Sequence, residues 1–313
     1  MPGLPKQVTI SEVGPRDGLQ IEAKQLAAEV KIALVERLAA TGLTRVEVTG
    51  FAHPKIVPQL ADAEKVFAGL KRRPGVRYAA FVPNAKGAER AIAAGADDLK
   101  TGIGASDTFN ELNVRMTTEQ GMRALDEIAA LARGSKSTIV GVVATAFGCP
   151  YEGPVSPDRV RRLFEQLVGH GAPIIYLADT TGVANPSSIR RTLENLASRW
   201  PNQRIGLHLH NTRGLGLANA LAGLEAGVAD FESSIGGLGG CPFAPRAVGN
   251  ISTEDFVHML HEMGIETGVD LNALIEVARF AQEALGRNLP GMVMKAGLAS
   301  ELHDRKAQRV KVD

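Results

Sequence analysis

The stretch Val8-Thr9-Ile10-Ser11-Glu12-Val13-Gly14-Pro15-Arg16-Asp17-Gly18-Leu19-Gln20 decides the fold. It reads as a β-branched strand, Val8–Val13, that runs into a turn built from glycine and proline. A doubly wound α/β sheet carries a Gly-rich phosphate turn after its first strand. Gly14-Pro15-Arg16-Asp17-Gly18 is not that fingerprint. Further strand-like runs follow at Arg45–Thr49, Val76–Val82, Ile139–Ala144, Ile174–Leu177, Ile205–His210 and Phe231–Ile235, with a weaker one near Asp98–Gly102. Helix-period segments lie between them. Gln25–Ala40 places Leu26, Val30, Ala33, Leu34 and Leu38 on one stripe. Ser156–Gly169 opens on Ser-Pro-Asp, a cap followed by proline at the first helical position. Pro186–Leu196, Gly214–Ala226 and Thr253–Met263 read the same way, and the Ala-Gly pairs at 94–95 and 226–227 mark helix ends. About eight β/α units at this length predict an α/β protein of the (β/α)8 TIM-barrel type.

The chain has 313 residues, 44% hydrophobic and 22% charged, enough to bury a sizeable core without disulfide or metal staples. No repeat or linker divides it. The expectation is one catalytic domain over 1–313, with the barrel at about 7–265. A C-terminal helix, Val269–Leu285, and a polar, peripheral tail from Asn288 make up about 266–313. Lys and Arg total 35 against 34 Asp and Glu, so no basic excess points to nucleic acid. No apolar run reaches membrane-spanning length, and MPGLPKQVTISEV lacks the apolar core of a secretory signal. Two cysteines cannot form a disulfide framework and fit a reducing, cytoplasmic setting. Membrane proteins, disordered chains and cystine-rich scaffolds are thereby excluded.

Barrel active sites lie at the C-terminal ends of the strands. There the first strand offers Arg16 and Asp17, which read either as site residues or as an ion pair in a surface turn. The second offers Glu47 among β-branched neighbours. A barrel strand has no water-facing side, so Glu47 is expected inside, near the mouth and paired. Leu207-His208-Leu209-His210 puts two imidazoles on one strand face, as metal ligands or as a hydrogen-bonded pair. Gly236-Gly237-Leu238-Gly239-Gly240-Cys241 allows close backbone approach to a ligand, with Gly239 and Gly240 just ahead of a thiol. Asn250 can supply a neutral oxygen, and Glu254 a hydrogen bond to a ligand side chain. Asp17, His208, His210 and Asn250 form a mixed oxygen and nitrogen set that suits Mg²⁺ or Mn²⁺. The chemistry is Lewis-acid polarisation of a substrate oxygen, with a thiol nearby to move a proton.

These residues resemble the 3-hydroxy-3-methylglutaryl-CoA lyase family, within the metal-dependent barrel lyases and acyl-CoA synthases. The motifs are Val13–Gln20, Phe51–Gln59, Gly148-Cys149-Pro150-Tyr151-Glu152-Gly153, Asp179-Thr180-Thr181-Gly182-Val183, His208-Leu209-His210, Gly237–Pro242 and Gly249–Asp255. The resemblance runs from about residue 7 to about 290. It implies cleavage of 3-hydroxy-3-methylglutaryl-CoA to acetyl-CoA and acetoacetate, a metal on Asp17, His208, His210 and Asn250, and Arg16 at the enolate oxygen. Cys241 would protonate or gate the enolate. Glu47 and Gln20 would shape the site, Asp179 would support it, and Asp17 or His208 would take the hydroxyl proton. The implied partners are an acyl-CoA substrate and other copies of the chain, as a homodimer or higher homo-oligomer. Asn211, Gly50, Ile21 and Val142 depart from the usual Asp, Ser, Asn and Tyr, which leaves a larger or different C3 substituent open. The competing readings are a synthase of the isopropylmalate or homocitrate type and a non-catalytic barrel that binds CoA esters.

Overall fold

The computed structural model describes residues 3–240 and 249–301. Eight parallel strands close into a barrel in chain order: β1 Thr9–Glu12, β2 Arg45–Gly50, β3 Arg77–Phe81, β4 Asp98–Gly104, β5 Thr138–Ala144, β6 Ile174–Asp179, β7 Arg204–Leu209 and β8 Asp230–Ser233. The seam is closed by β1 against β8, with Thr9 beside Asp230 and Glu12 beside Ser233. The TIM-barrel expectation is borne out. All eight strand runs form, including the weak one, which extends two residues beyond Gly102 to Gly104.

Helices cover the outside: α1 Ala28–Ala40, α2 Ala63–Gly69, α3 Ala85–Ala93, α4 Asp107–Val114, α5 Thr118–Arg133, α6 Pro157–Gly169, α7 Pro186–Arg199 and α8 Gly216–Glu225. After β8 come α9 Thr253–Glu262, α10 Leu271–Leu285 and the short α11 Val293–Ala296. Caps set their starts. Asn84 accepts from Gly87 N, Ser106 from Phe109 N and Asp270 from Ala273 N. Ser156 differs from the sequence expectation: proline stands at the first turn of α6, but the serine side chain accepts no bond from the helix. Gly95 and Gly227 take positive φ just past α3 and α8, as the Ala-Gly pairs predict.

The stretch expected as a polar, peripheral tail starts inside the fold. Leu289, Val293 and Met294 are buried, and Asp255 accepts from the backbone N–H groups of Met292 and Val293 at the start of α11. Isolated apolar residues in a polar segment carry no periodicity, so the docking depends on the neighbouring α9.

The barrel interior is charged toward its lower end. Arg45 and Arg77 converge on buried Asp98, and Arg204 pairs with Asp230. Above them Ser11 Oγ lies 3.0 Å from the Tyr176 hydroxyl. The β1–β8 seam is tied by Glu12, whose Oε1 accepts from Gly14 N at 2.7 Å and Ile235 N at 2.9 Å, and whose Oε2 accepts from Thr253 Oγ1 at 2.6 Å. Glu254 carries a second such brace, accepting from Gly236 N at 3.0 Å.

Burial raises both carboxyls from an ordinary 4.5 to about 7, against the hydrogen bonds that act to lower them. A carboxyl raised by folding contributes stability that is full below about 4.5 and is lost as pH rises through 7. For Glu254 the size is on the order of 3 kcal/mol. Glu254→Gln keeps an acceptor for Gly236 but no titration. Its thermal midpoint should fall less than the wild type's between pH 5 and pH 8. Equal falls in the two proteins would show that Glu254 does not titrate there.

Candidate active site

The turn after β1 is held by wide hydrogen bonds, Gly18 N to Val13 O at 3.3 Å and Leu19 N to Gly14 O at 3.0 Å. This π-type turn faces Arg16 and Asp17 onto the barrel mouth. Gly14 and Gly18 pack against the Ser234–Leu238 segment so closely that a β-carbon on either would clash. Arg16 donates from Nη1 to Asp17 Oδ1 at 2.7 Å, lies 3.9 Å over the Phe81 ring and has its Nε 3.3 Å from Glu47 Oε1. Gln20 Nε2 donates to Asp17 Oδ1 at 2.9 Å and reaches Gly240 O at 3.5 Å. The surface-turn reading of Arg16 and Asp17 fails, since Asp17 is buried and both line a cavity of about 600 Å³.

The histidines converge with Asp17. His208 Nε2 lies 3.1 Å from His210 Nε2 and 4.0 Å from Asp17 Oδ2. Asn250 joins them because 249–251 runs beside the end of β7, with Ile251 N donating to Leu209 O and Asn211 N to Gly249 O. Asn250 Nδ2 donates to Asp17 Oδ2 at 2.8 Å and to Leu238 O at 3.0 Å. Its Oδ1 is then buried with no hydrogen-bond partner among the described residues. Burial acts to raise the Asp17 carboxyl, but the Arg16 charge, the two imidazoles and the Asn250 N–H outweigh it and hold it at about 2.

An ionised carboxylate, two imidazoles and an unsatisfied amide oxygen, gathered in one buried spot, fit a hard divalent cation with open positions for substrate. Cis donors on an octahedral Mg²⁺ lie about 3 Å apart, the scale of the imidazole pair.

Other expected residues sit elsewhere. Glu47 is inside and paired, with Oε2 2.8 Å from Lys100 Nζ. Asp179 is raised by burial to about 7, and its Oδ1 accepts from the N–H groups of Val183 and Ala184, so it braces the loop after β6. Glu254, expected to bond a ligand side chain, instead holds Gly236. The reason is position: it lies in the first turn of α9, beside the glycine turn that follows β8. Asn211 Oδ1 accepts from Gly216 N at the start of α8, a bond that an aspartate would make equally well. Cys241 lies outside the described residues. Cys149 is buried, 2.9 Å from Ser106 Oγ.

Two residues were not singled out in the sequence. Glu232 Oε2 lies 2.9 Å from His208 Nδ1 and 2.7 Å from Lys100 Nζ. Both line the cavity with Gly50, Gly102 and Val142. Their sequence signal is the same as that of Glu47, a charge on a strand with no wet face.

A closed (β/α)8 barrel with an Asp/His/His cluster and a cavity at its mouth defines an enzyme site of the barrel type. Residues 7–281 match the HMGL-like family, and the chain belongs to it. A hydroxymethylglutaryl-CoA lyase of Bacillus subtilis is 44% identical over 286 residues, 91% of this chain and 96% of its own. An (R)-citramalyl-CoA lyase of Chloroflexus aurantiacus is 42% identical over 300 residues, 93% of this chain and 95% of its own. The structure of an HMG-CoA lyase from Acinetobacter baumannii with coenzyme A and 3-methylmalate superposes with a TM-score of 0.92 at 45% identity, covering 96% of this chain and 98% of that one. Among the described residues no helix is long and apolar enough to cross a membrane.

Gly239 has φ +124°, and a β-carbon on it would run into Asn250 Nδ2 and sit 3.3 Å from Asp17 Oδ2. Gly239→Ala should therefore weaken Mn²⁺ binding at least tenfold by titration calorimetry, with a far-UV spectrum like wild type. Wild-type affinity in that variant would remove Asn250 from the donor set.

Proposed function

We propose that this protein cleaves 3-hydroxy-3-methylglutaryl-CoA, or a closely related 3-hydroxyacyl-CoA, to acetyl-CoA and acetoacetate or the corresponding keto acid. The observation that carries the reading is the meeting of Asp17, His208 and His210 with Arg16 in one cavity, with Asn250 bonded to Asp17 behind them, in a chain of this family. In the reaction the tertiary hydroxyl loses its proton and the C2–C3 bond breaks. The electron pair moves onto the thioester carbonyl as an enolate, and a proton added at C2 completes acetyl-CoA.

Asp17, His208, His210 and Asn250 would hold Mg²⁺ or Mn²⁺, which supplies Lewis-acid polarisation of the substrate oxygens. Asp17 or His208 would take the hydroxyl proton. Arg16, fixed by Phe81, Asp17 and Glu47, would meet the enolate oxygen. Gln20 and Gly240 shape the wall beside it, and Gly239 lets the backbone pass close to Asn250. Cys241, next along the chain, would deliver the proton to C2. Asp179 and Glu254 support the loops that frame the cavity. A cytoplasmic location and a homodimer or higher homo-oligomer complete the reading, and light scattering tests the latter.

The C3 substituent is the open choice. Gly50, Gly102 and Val142 leave the wall small, and one relative is named for citramalyl-CoA. The test is acetyl-CoA release from 3-hydroxy-3-methylglutaryl-CoA and from (R)-citramalyl-CoA, with Mg²⁺ and with Mn²⁺, before and after EDTA. Release that EDTA abolishes supports the reading. Binding of both esters without turnover would make the chain a non-catalytic binder, and condensation of acetyl-CoA with a keto acid would make it a synthase. Arg16→Gln should lower kcat about 10²–10³-fold with a small change in KM, because the enolate charge exists only after the bond breaks. Cys241→Ser should bind metal as wild type does and lose most turnover, since a hydroxyl is a far weaker acid than a thiol of pKa about 8.5.

A further inference from the structure

Among the described residues Lys100 is the one site-facing Lys or Arg that the reaction scheme leaves unused. It rises from β4 into the cavity floor, with 6% of its side chain exposed. Its Nζ donates to Glu47 Oε2 at 2.8 Å and to Glu232 Oε2 at 2.7 Å. Each carboxylate serves a different half of the site. Glu47 Oε1 faces Arg16 Nε at 3.3 Å, and Glu232 Oε2 meets His208 Nδ1 at 2.9 Å. The connections close into a loop in which acidic and basic side chains alternate: Asp17, Arg16, Glu47, Lys100, Glu232, His208 and back to Asp17.

The carboxylate on Nδ1 fixes which nitrogen of His208 carries hydrogen. With Nδ1–H directed at Glu232, Nε2 presents a lone pair toward Asp17 and His210. The oxygen that meets Nδ1 is the one Lys100 also holds, so the ammonium fixes where that acceptor stands. Lys100 supplies the compensating charge for Glu232 and for Glu47 together. Burial alone would weaken the ammonium's hold on its proton, but Glu232 and Glu47 outweigh it and keep Lys100 charged. Two carboxylates on opposite sides of the floor are held in place by one shared cation.

We infer that Lys100 is a positioning residue: through Glu232 it sets the orientation of His208 toward a divalent ion, and through Glu47 it sets the orientation of Arg16. The effect on Arg16 rests on the lyase reading, whereas the effect on His208 needs only the donor set. One cation thus couples the metal half of the site to the enolate half.

The test uses the full chain and Mn²⁺ alone, followed by steady-state kinetics with the acyl-CoA that turns over. Lys100→Met should bind Mn²⁺ about 10–100-fold more weakly, the range seen when a partner behind a metal-ligating histidine is lost. Its kcat at saturating Mn²⁺ should fall at least tenfold while KM stays within about twofold, because Arg16 acts on the enolate. Glu232→Gln should weaken Mn²⁺ binding similarly. The double variant should be no weaker than the worse single one, since both act on one histidine. Lys100→Gln, neutral but with two N–H donors for the two carboxylates, serves if Lys100→Met does not fold, and should show the same losses. A folded Lys100 variant with wild-type Mn²⁺ affinity, or losses that add in full in the double variant, would overturn the inference. Absence of acyl-CoA cleavage in the wild type would sink the lyase reading and leave the Mn²⁺ comparison to decide the histidine half.

Discussion

Closing a barrel brings the first strand against the last, and here a buried carboxyl ties together the turns that leave the two strands. Glu12 bonds the backbone of the turn that follows β1, the backbone of the turn that follows β8, and the hydroxyl at the start of α9. Thr253 extends the tie to Ser233 at 2.8 Å. These are the segments that carry Arg16 and Asp17 on one side and lead to Gly239 and Asn250 on the other. With all its partners satisfied, a buried carboxyl can stand where an apolar side chain would leave three polar groups unmet. The seam and the site are therefore one construction, and β7 adds the histidines from the adjoining staves.

The interior of this barrel departs from the layered aliphatic packing typical of the fold. Arg45, Asp98, Tyr176 and Ser11 occupy its lower part, and Glu47, Lys100 and Glu232 its upper part. Replacing buried ion pairs by apolar residues often leaves stability unchanged or improved. Charges in this quantity make better sense as orientation than as glue. Each long side chain directed up the axis is fixed at its tip, and the last tips in the column are Arg16 and His208. The bulge between Glu47 and Thr49, where β2 shifts register against β3, adds to this by re-aiming one strand at the level of the site.

Strand order, barrel closure and the meeting of Asp17 with His208 and His210 were legible in the sequence, because they follow from local pattern and from the two-residue period of a strand. His208 and His210 had to share a face once β7 was a strand, and Glu47 had to be paired once β2 had no wet side. What was not legible depends on who meets whom across the barrel. Lys100 lies in the weakest strand pattern, Asp98-Leu99-Lys100-Thr101-Gly102, and Glu232 between Phe231 and Ser233, and neither run shows its partners. Glu254 was assigned to a ligand side chain, yet its neighbour is the backbone of Gly236, a contact set by the packing of α9 on the turn. Val293 likewise owes its docking to Asp255 on α9, and Leu289 to Gln282 on α10 and the Gly236 turn, not to any periodicity of their own.

The donors are far apart along the chain: Asp17 near the start, His208 and His210 two-thirds of the way on, and Asn250 after the last strand. During synthesis the first turn emerges with an arginine and an aspartate that have none of their final neighbours. The pocket for an ion exists only after β8 has docked against β1 and the chain has turned back past β7. The C-terminal half brings His208, His210 and Asn250 together, and the carboxylate of Asp17 arrives only with β1. Capture of a metal by the full set would thus wait for the finished ring, and a stalled or truncated chain would carry an incomplete set that holds an ion poorly. An ion held there would report that the barrel has closed.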